Sequence, residues 1–258
     1  MNNGIKRFAK FILPRCISSE ISAYLSFKNG FGKHFTTDKS LRQHYAGRLL
    51  QKTGGIYVEV GAATGNSCIP FVKRYKLNPS HCHFIEACPT NFEILRKKSD
   101  GFKVYNYAIT GHTGLSYLYS LDDSKEEGSS RSNSIVGDSV REKFPDATIE
   151  KIQIPSRTLT DFFDEQGLKN IDFIFFNCEG AEYEIFRGNT SFLDRTSLIS
   201  LDLHGCCEKF NSVEMKSEKT RIFNLMTESG FDLIAGNTKE DISLANHHLS
   251  FLWEKQKD

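Results

Sequence analysis

Short apolar runs alternate with helix-like segments from residue 55 onward, and this alternation restricts the possible folds more than any other feature. The runs with the length and composition of strands are 56–60, 83–87, 103–109, 171–177, 198–204, 231–236 and 248–254. The segments with helical spacing are 67–75, 89–98, 159–166, 181–187 and 214–229. Strands that alternate with helices predict a mostly parallel α/β sheet with helices on both faces.

The last two predicted strands need a different arrangement. Only a short polar connection separates residues 231–236 from residues 248–254, and it has no room for a helix. A parallel crossover needs about a dozen residues or more, usually with a helix. We therefore expect these two strands to form an antiparallel pair at the end of the sheet.

Two regions fall outside the alternation. Residues 1–45 are interpreted as an N-terminal helical extension that packs on the sheet or caps the site, and residues 46–258 as the main domain. Residues 120–148 are Ser-rich, charged and poor in large apolar side chains. They predict a long inserted loop. Arg131 and the neighbouring serines could line the site, and a solvated loop without a role is the alternative.

Composition limits the partners and the compartment. The net charge of +1 gives no overall field that would attract nucleic acid, and no apolar run is long enough for an integral membrane span. None of the cysteines forms a CxxC pair, which favours free thiols in a reducing, cytoplasmic setting. His81 and His83 share a strand face without an evident third ligand, so we expect no metal site.

The stretch GGIYVEVGAATGNS, residues 54–67, places a tight turn between a buried strand and a helix. Gly61 and Gly65 bracket this turn. Ligands of open α/β sheets bind outside the carboxyl ends of the strands, where glycine permits close approach and a helix N-terminus offers N–H groups. A plain strand-to-helix turn also uses glycine, so a purely structural role is the alternative.

The pattern of this turn narrows the choice of ligand. Ala63 stands where the dinucleotide motif G-x-G-x-x-G has its central glycine, and no phosphate-binding lysine follows. A ligand with one carboxylate and one amine, such as S-adenosylmethionine, suits this looser turn. Glu59 could lie near the cationic part of that ligand and the turn N–H groups near its carboxylate. Glu86 ends the next strand, at the spacing of an acid that binds a ribose diol.

Five sequence blocks follow one another along the chain: GGIYVEVGAATGNS, FIEACPTNFEIL, VYNYAITGHTG, IPSRTLTDFF and IDFIFFNCEGAEYEIFRGN. In this order they resemble the successive motifs of FkbM-type methyltransferases. The resemblance covers roughly residues 54–204, and its most specific block is CEGAEYEIFRG. It implies the class I S-adenosylmethionine-dependent fold, a Rossmann-like, doubly wound sheet of seven strands that is mostly parallel with an antiparallel edge strand.

The resemblance also implies which residues hold S-adenosylmethionine. Most of them follow the first two strands, and the others lie at the ends of the third and fourth strands, where Ala108 is close to the usual place of the adenine. The cofactor-binding residues implied in this way are Glu59, Gly61, Ala62, Gly65, Asn66, Ser67, Glu86, Ala87, Ala108 and Asn177.

Catalytic residues are expected at the ends of the fourth and fifth strands. The family motif Asp-x-Glu-Gly reads Asn177-Cys178-Glu179-Gly180 here, so a neutral amide weakens a general-base role at Asn177. Glu179 remains in register, with stabilisation of a helix N-terminus as the alternative. His204, two residues after Asp202, reproduces a family spacing that puts both on one strand face. A histidine titrates near neutrality and suits removal of a hydroxyl proton, although it could simply be hydrogen-bonded.

These features together predict an S-adenosylmethionine-dependent O-methyltransferase. Its acceptor would be a hydroxyl of a sugar, a glycan or a small-molecule natural product, with no nucleic acid involved. A cofactor-binding protein without catalysis is the main alternative, because Asn177 replaces an acid. A nucleotide-dependent oxidoreductase is a weaker alternative, because the dinucleotide motif is missing.

Overall fold

The computed structural model describes residues 39–121, 133–135, 137, 140–141, 145–146, 148–204, 213–237, 239, 242 and 249–256. Most of the predicted N-terminal extension, residues 1–38, and Arg131 of the predicted loop therefore lie outside the described residues.

Ten strands and six α-helices have described bounds. The strands are β1 (Tyr57–Val60), β2 (Cys82–Ile85), β3 (Lys103–Tyr105), β4 (Ala108–Ile109), β5 (Gly114–Leu121), β6 (Ile149–Arg157), β7 (Ile171–Phe176), β8 (Thr196–Leu203), β9 (Phe231–Gly236) and β10 (Leu249–Lys255). The helices are α1 (Lys39–Thr53), α2 (Cys68–Tyr75), α3 (Pro89–Lys98), α4 (Leu159–Glu165), α5 (Glu182–Arg187) and α6 (Val213–Glu228). None of the helices among these described residues has both the length and the apolarity to cross a bilayer.

The main sheet has seven strands in the order β3-β2-β1-β7-β8-β10-β9. β1 pairs in parallel with β2 and β7, and β7 in parallel with β8. β10 runs antiparallel to both β8 and β9. The predicted mostly parallel sheet and the antiparallel pair at its end are therefore confirmed, with β10 lying second from the edge and β9 outermost.

The register of the central strands brings three strand ends level with one another. Val60, the last residue of β1, lies opposite Ile85 of β2 and Phe176 of β7. The segments that follow these strands therefore leave the sheet at the same edge. This is the edge at which a doubly wound sheet binds its ligands.

A second, three-stranded sheet in the order β4-β6-β5 was not predicted. The predicted strand 103–109 is divided between β3 and β4, because the Asn106 side-chain amide donates to the carbonyls of Glu86 (2.9 Å) and Ala87 (3.1 Å) and ends the pairing with β2. β5 and β6 pair antiparallel. Because β5 extends to Leu121, the insertion begins after that residue, slightly later than expected.

Helices cover both faces of the main sheet, which explains the near-continuous apolarity of its central strands. On one face, Val58 and Val60 pack with side chains of α4, α5 and α6. On the other face, Tyr57 packs with side chains of α1, α2 and α3. The alternation along β1 therefore places Glu59 on the face that α1 and α2 cover.

Helix α1 is fastened to the sheet through Arg42, which is 1% exposed. Its guanidinium donates to the Asp202 carboxylate (2.7 Å), the Ser200 hydroxyl (2.9 Å) and the Phe251 carbonyl (3.2 Å). The helix runs from residue 39 to residue 53 and crosses the predicted boundary at residues 45/46. Residues 39–45 of the predicted extension thus belong to a helix that is anchored to β8 and β10.

We predict that Arg42→Met destabilises the protein by about 3–5 kcal/mol, because Asp202 would keep a buried charge without its partner. Urea unfolding measures this change. Arg48→Met is the matched control: Arg48 is exposed on the same helix, and its loss should cost less than about 0.5 kcal/mol. Equal costs for the two variants would show that α1 is not anchored through Arg42.

Candidate active site

A cavity of about 450 Å³ lies at the carboxyl ends of β1, β2 and β7. This volume is within the usual range for sites that bind small molecules. The second sheet contributes part of the wall. The lining residues are 60–64, 66–67, 85–87, 91, 107–109, 118, 133–135, 177–179 and 181.

The turn after β1 folds back onto the end of β2. The N–H groups of Gly61 and Ala62 both donate to the Ile85 carbonyl at 3.0 Å, and the N–H of Ala63 donates to the Glu86 carboxylate at 2.8 Å. The sequence predicted that N–H groups of this turn approach a ligand carboxylate. For these three the prediction is wrong, because the protein itself occupies them.

Gly61 is required at its position for two reasons. Its φ of +85° is in the left-handed region, which residues with a side chain rarely adopt. A Cβ added there would also lie 2.1 Å from the carbonyl oxygen of Asn177. The predicted close approach at Gly61 is therefore to the chain itself, and it joins the ends of β1 and β7.

Glu59 and Gly65 support the turn but do not line the cavity. The Glu59 carboxylate, which is fully buried, accepts hydrogen bonds from the hydroxyls of Tyr57 and Ser67, the latter at 2.7 Å. Burial and then this carboxylate raise the pKa of Tyr57 well above its ordinary value, so its phenol remains a donor. The predicted place of Glu59 beside the cationic part of a ligand is not where the structure puts it, because strand alternation directs the side chain under α2.

Glu86 lies on the cavity wall and is 6% exposed. One carboxylate oxygen accepts the N–H of Ala63 (2.8 Å), and the other accepts the N–H of Cys88 (2.9 Å) and the Asn91 amide (3.4 Å). Burial raises the pKa of Glu86, and these hydrogen bonds oppose that rise. Since a carboxylate offers about four lone pairs and three are used by these hydrogen bonds, Glu86 can still accept a hydrogen bond from a ligand.

An apolar part of the wall lies close to Glu86. Ala87 and Ala108 contribute small side chains, and Leu118 and Ile135 pack against Ala108 and Cys88. Leu118 and Ile135, which come from β5 and from the predicted loop, were not predicted from the sequence. The Ser134 backbone pairs with Tyr119 of β5 (2.8 and 3.1 Å), and this pairing brings residues 133–135 to the cavity.

The turn after β7 contains Asn177 and Glu179, which both line the cavity. Glu179 has a φ of +52°, unusual for a residue with a side chain. Glu182, fully buried at the start of α5, accepts the N–H groups of Cys178 (2.9 Å) and Gly180 (2.8 Å). Both carboxylate oxygens of Glu182 are therefore hydrogen-bonded to N–H groups. Stabilisation of the helix N-terminus, which was the alternative role for Glu179, is thus provided by Glu182.

His204 lies behind the wall rather than on it. Its Nδ1 is 3.0 Å from a Glu182 carboxylate oxygen, and its Nε2 is 3.6 Å from one of Glu179. Burial lowers the pKa of His204, but the carboxylates of Glu182, Glu179 and Asp202 outweigh that effect and raise it to about 9. An imidazole that is protonated at neutral pH does not accept a proton from a hydroxyl, which argues against the predicted base role.

Asp202 and His204 do not face the cavity together as predicted. Asp202 binds Arg42 at 2.7 Å, on the side of the sheet that α1 covers. β8 ends at Leu203, so the strand alternation no longer sets the direction of His204. Its side chain turns instead toward α5.

The structure brings most of the predicted site residues together around the cavity. Glu59, Gly65 and His204 lie outside its wall. The predicted residues on the wall are Gly61, Ala62, Asn66, Ser67, Glu86, Ala87, Ala108, Asn177 and Glu179.

Among the residues that the structure describes, no three His, Cys, Asp or Glu side chains are grouped so as to hold a metal ion. The two strand-start histidines have separate partners. His81 lies 2.8 Å from the Gly54 carbonyl, and His83 lies 3.0 Å from the Tyr105 hydroxyl.

A comparison with models of sequence families shows to which family this chain belongs. The model of the methyltransferase FkbM domain matches residues 59–233, more than half of the chain. The chain belongs to the FkbM methyltransferase family. The resemblance seen in the sequence is thus confirmed. A comparison with curated proteins found no match.

Several solved structures of other methyltransferases are similar to this FkbM family member. An O-methyltransferase from Bacillus cereus in complex with SAH is 10% identical, with a TM-score of 0.47, over 98% of this chain and 97% of that one. Methyltransferase FkbM from Methylobacillus flagellatus KT is 12% identical, with a TM-score of 0.44, over 96% of this chain and 57% of that one. A putative RNA methyltransferase from Pyrococcus horikoshii is 8% identical, with a TM-score of 0.40 and 86% coverage of both chains. No comparison identifies the acceptor, and the exclusion of nucleic acid stays a prediction.

Substitution of Gly61 tests whether the close approach shapes the site. Gly167 also has a left-handed φ, +66°, but nothing lies within 4 Å of a Cβ added there. Gly167→Ala should therefore cost about 1–2 kcal/mol from backbone strain alone. Gly61→Ala should cost at least about 1–3 kcal/mol more, because the added methyl overpacks the turn. Urea unfolding measures both, and equal costs would contradict the close approach.

Proposed function

We propose that this FkbM family member binds S-adenosylmethionine in the cavity and transfers its methyl group to a hydroxyl oxygen of a sugar, a glycan or a small-molecule natural product. The observation that carries the proposal is the Glu86 carboxylate, buried at the end of β2 and facing the cavity beside an apolar wall.

The residues on the wall fit the parts of S-adenosylmethionine. Glu86 is placed to accept a hydrogen bond from the ribose diol, and Ala108, Ile109 and Leu118 offer an apolar surface for the adenine. The N–H groups of Gly61 and Ala62 in the turn after β1 donate to the Ile85 carbonyl. Because they are used in this way, they do not bind a pyrophosphate, which supports a ligand without one. This occupancy, together with family membership, disfavours the oxidoreductase alternative.

The chemistry required of the protein is small. Bound S-adenosylmethionine supplies a methyl group already activated on a sulfonium. The chain orients the acceptor for in-line attack and takes the hydroxyl proton, since an alcohol ionises far above neutral pH. The Glu179 carboxylate, one quarter exposed and on the cavity wall, is the proton acceptor that we assign. Asn177, an amide on the same wall, hydrogen-bonds and orients the acceptor.

The acceptor and the compartment belong to the same proposal. Asn133, Asn177 and Glu179 give this part of the cavity hydrogen-bonding groups suited to a hydroxyl-rich acceptor. The net charge of +1 supports an acceptor other than nucleic acid. Three described cysteines, at positions 68, 82 and 178, are free thiols, which fits the cytoplasm that we infer as the location.

Titration calorimetry tests the cofactor. Wild-type protein should bind S-adenosylmethionine and S-adenosylhomocysteine but not NAD. Glu86→Gln should weaken S-adenosylhomocysteine binding about 10- to 100-fold, because the ribose loses a charged acceptor. Glu93→Gln, an exposed carboxylate on α3, is the control and should leave affinity unchanged. Equal affinity in both variants would remove Glu86 from the site.

Methyl transfer from labelled S-adenosylmethionine to a panel of saccharides tests catalysis. Glu179→Gln should lower the rate about 10²- to 10⁴-fold, the usual contribution of a general base. Glu184→Gln, an exposed carboxylate on α5, should keep the wild-type rate. Full activity in Glu179→Gln would reject the assigned base. Tight cofactor binding without transfer to any hydroxyl acceptor would favour the alternative of a binding protein without catalysis.

A further inference from the structure

Glu182 and His204 form a buried pair behind the cavity wall. Their side chains are 0% and 8% exposed, and the Nδ1 of His204 lies 3.0 Å from a carboxylate oxygen of Glu182. Neither side chain lines the cavity. The pair therefore acts on a ligand only through the residues that it touches.

Glu182 holds the turn that carries Glu179. One of its carboxylate oxygens accepts the N–H of Cys178 at 2.9 Å, and the other accepts the N–H of Gly180 at 2.8 Å. These two amides flank Glu179, whose φ is +52°. A residue with a side chain keeps such a conformation only when its surroundings impose it. Glu182 is hydrogen-bonded to the chain on both sides of this residue.

His204 lies between the carboxylate of Glu182 and the carboxylate of Glu179. Its Nε2 lies 3.6 Å from a Glu179 carboxylate oxygen while its Nδ1 faces Glu182. The Ser134 hydroxyl donates to the Glu179 carbonyl at 2.6 Å. Glu179 is thus held at its flanking amides, at its carbonyl and at its side chain.

We propose that Glu182 and His204 are positioning residues that together hold Glu179 in its left-handed turn, with its carboxylate directed to the cavity. The catalytic meaning of this arrangement rests on the proposed function, in which Glu179 takes the acceptor proton. The structural part does not depend on it.

The other charged and titratable groups near the pair set its electrostatics. Asp202, which binds Arg42, and Glu179 add to the negative field at His204. On the side of Glu182, the Cys178 thiol has its pKa raised by burial and by Glu182, so it stays neutral. His204 remains the cation between the two carboxylates until the pH rises through about 9.

Nuclear magnetic resonance of the full chain without any ligand tests the structural part. In Glu182→Gln an NH₂ group replaces one acceptor oxygen, so hydrogen exchange of the Cys178 and Gly180 amides should accelerate at least tenfold relative to amides of β1. The His204 pKa should fall from about 9 toward its ordinary 6.5. Glu184→Gln, on the same helix, should change neither quantity. Exchange and a His204 pKa that both match wild type would overturn the proposal.

Two His204 variants separate positioning from general support of the fold. His204→Asn can keep an amide donor near the place of Nδ1 but removes the cation beside Glu179, whereas His204→Leu removes both. The proposal expects His204→Asn to retain more protection of the Cys178 and Gly180 amides than His204→Leu. Equal loss of protection in the two would contradict it. These variants also serve if Glu182→Gln does not fold.

Calorimetry with S-adenosylhomocysteine distinguishes a failure of this inference from a failure of the proposed function. Wild-type protein that binds no S-adenosylhomocysteine would reject the proposed function, and the exchange experiment would still decide the role of Glu182. If binding occurs, His204→Asn should keep the wild-type affinity within about threefold, because it leaves Glu86 untouched. A larger loss would place His204 in the cofactor site and overturn its role as a positioning residue for Glu179.

Discussion

The close approach of Gly61 to the end of β7 is the constraint on which the site depends. A backbone without a side chain can lie against the Asn177 carbonyl, where a Cβ would be 2.1 Å away. The same turn donates two N–H groups to Ile85 at the end of β2. These contacts join the ends of β1, β2 and β7, which the register already brings level, into one rim. The cavity lies at this rim.

Buried carboxylates at the strand ends support this rim in different ways. Glu59 binds hydroxyls under the turn after β1, and Glu86 binds the N–H groups of Ala63 and Cys88 at the end of β2. Glu182 binds amides of the turn after β7. Only Glu86 among these three also lines the cavity. A carboxylate near the end of a strand is therefore evidence of a site only when its side chain faces the ligand.

The sequence predicted the sheet and the position of the site for clear physical reasons. The alternation of strands and helices determines the parallel sheet, and the short connection before β10 determines the antiparallel pair. The glycine turn and the spacing of Glu86 place the cavity at the ends of β1 and β2. The sequence did not predict the second sheet. The exposed face of β5 carries Leu115 and Tyr117 while Ser120 is buried, and this reverses the usual alternation of buried apolar and exposed polar side chains. The place of Glu59 depends on the face of the sheet to which β1 directs its side chain, and the place of His204 depends on where β8 ends. Only the structure shows these two features.

A crystal structure of the protein with S-adenosylhomocysteine tests the central claim most directly, namely that this cavity holds S-adenosylmethionine. We predict density for the ligand in the cavity, with the ribose hydroxyls within hydrogen-bonding distance of the Glu86 carboxylate and the adenine beside Ala108. Density for the ligand at another place on the protein, or a ribose turned away from Glu86, would contradict the account.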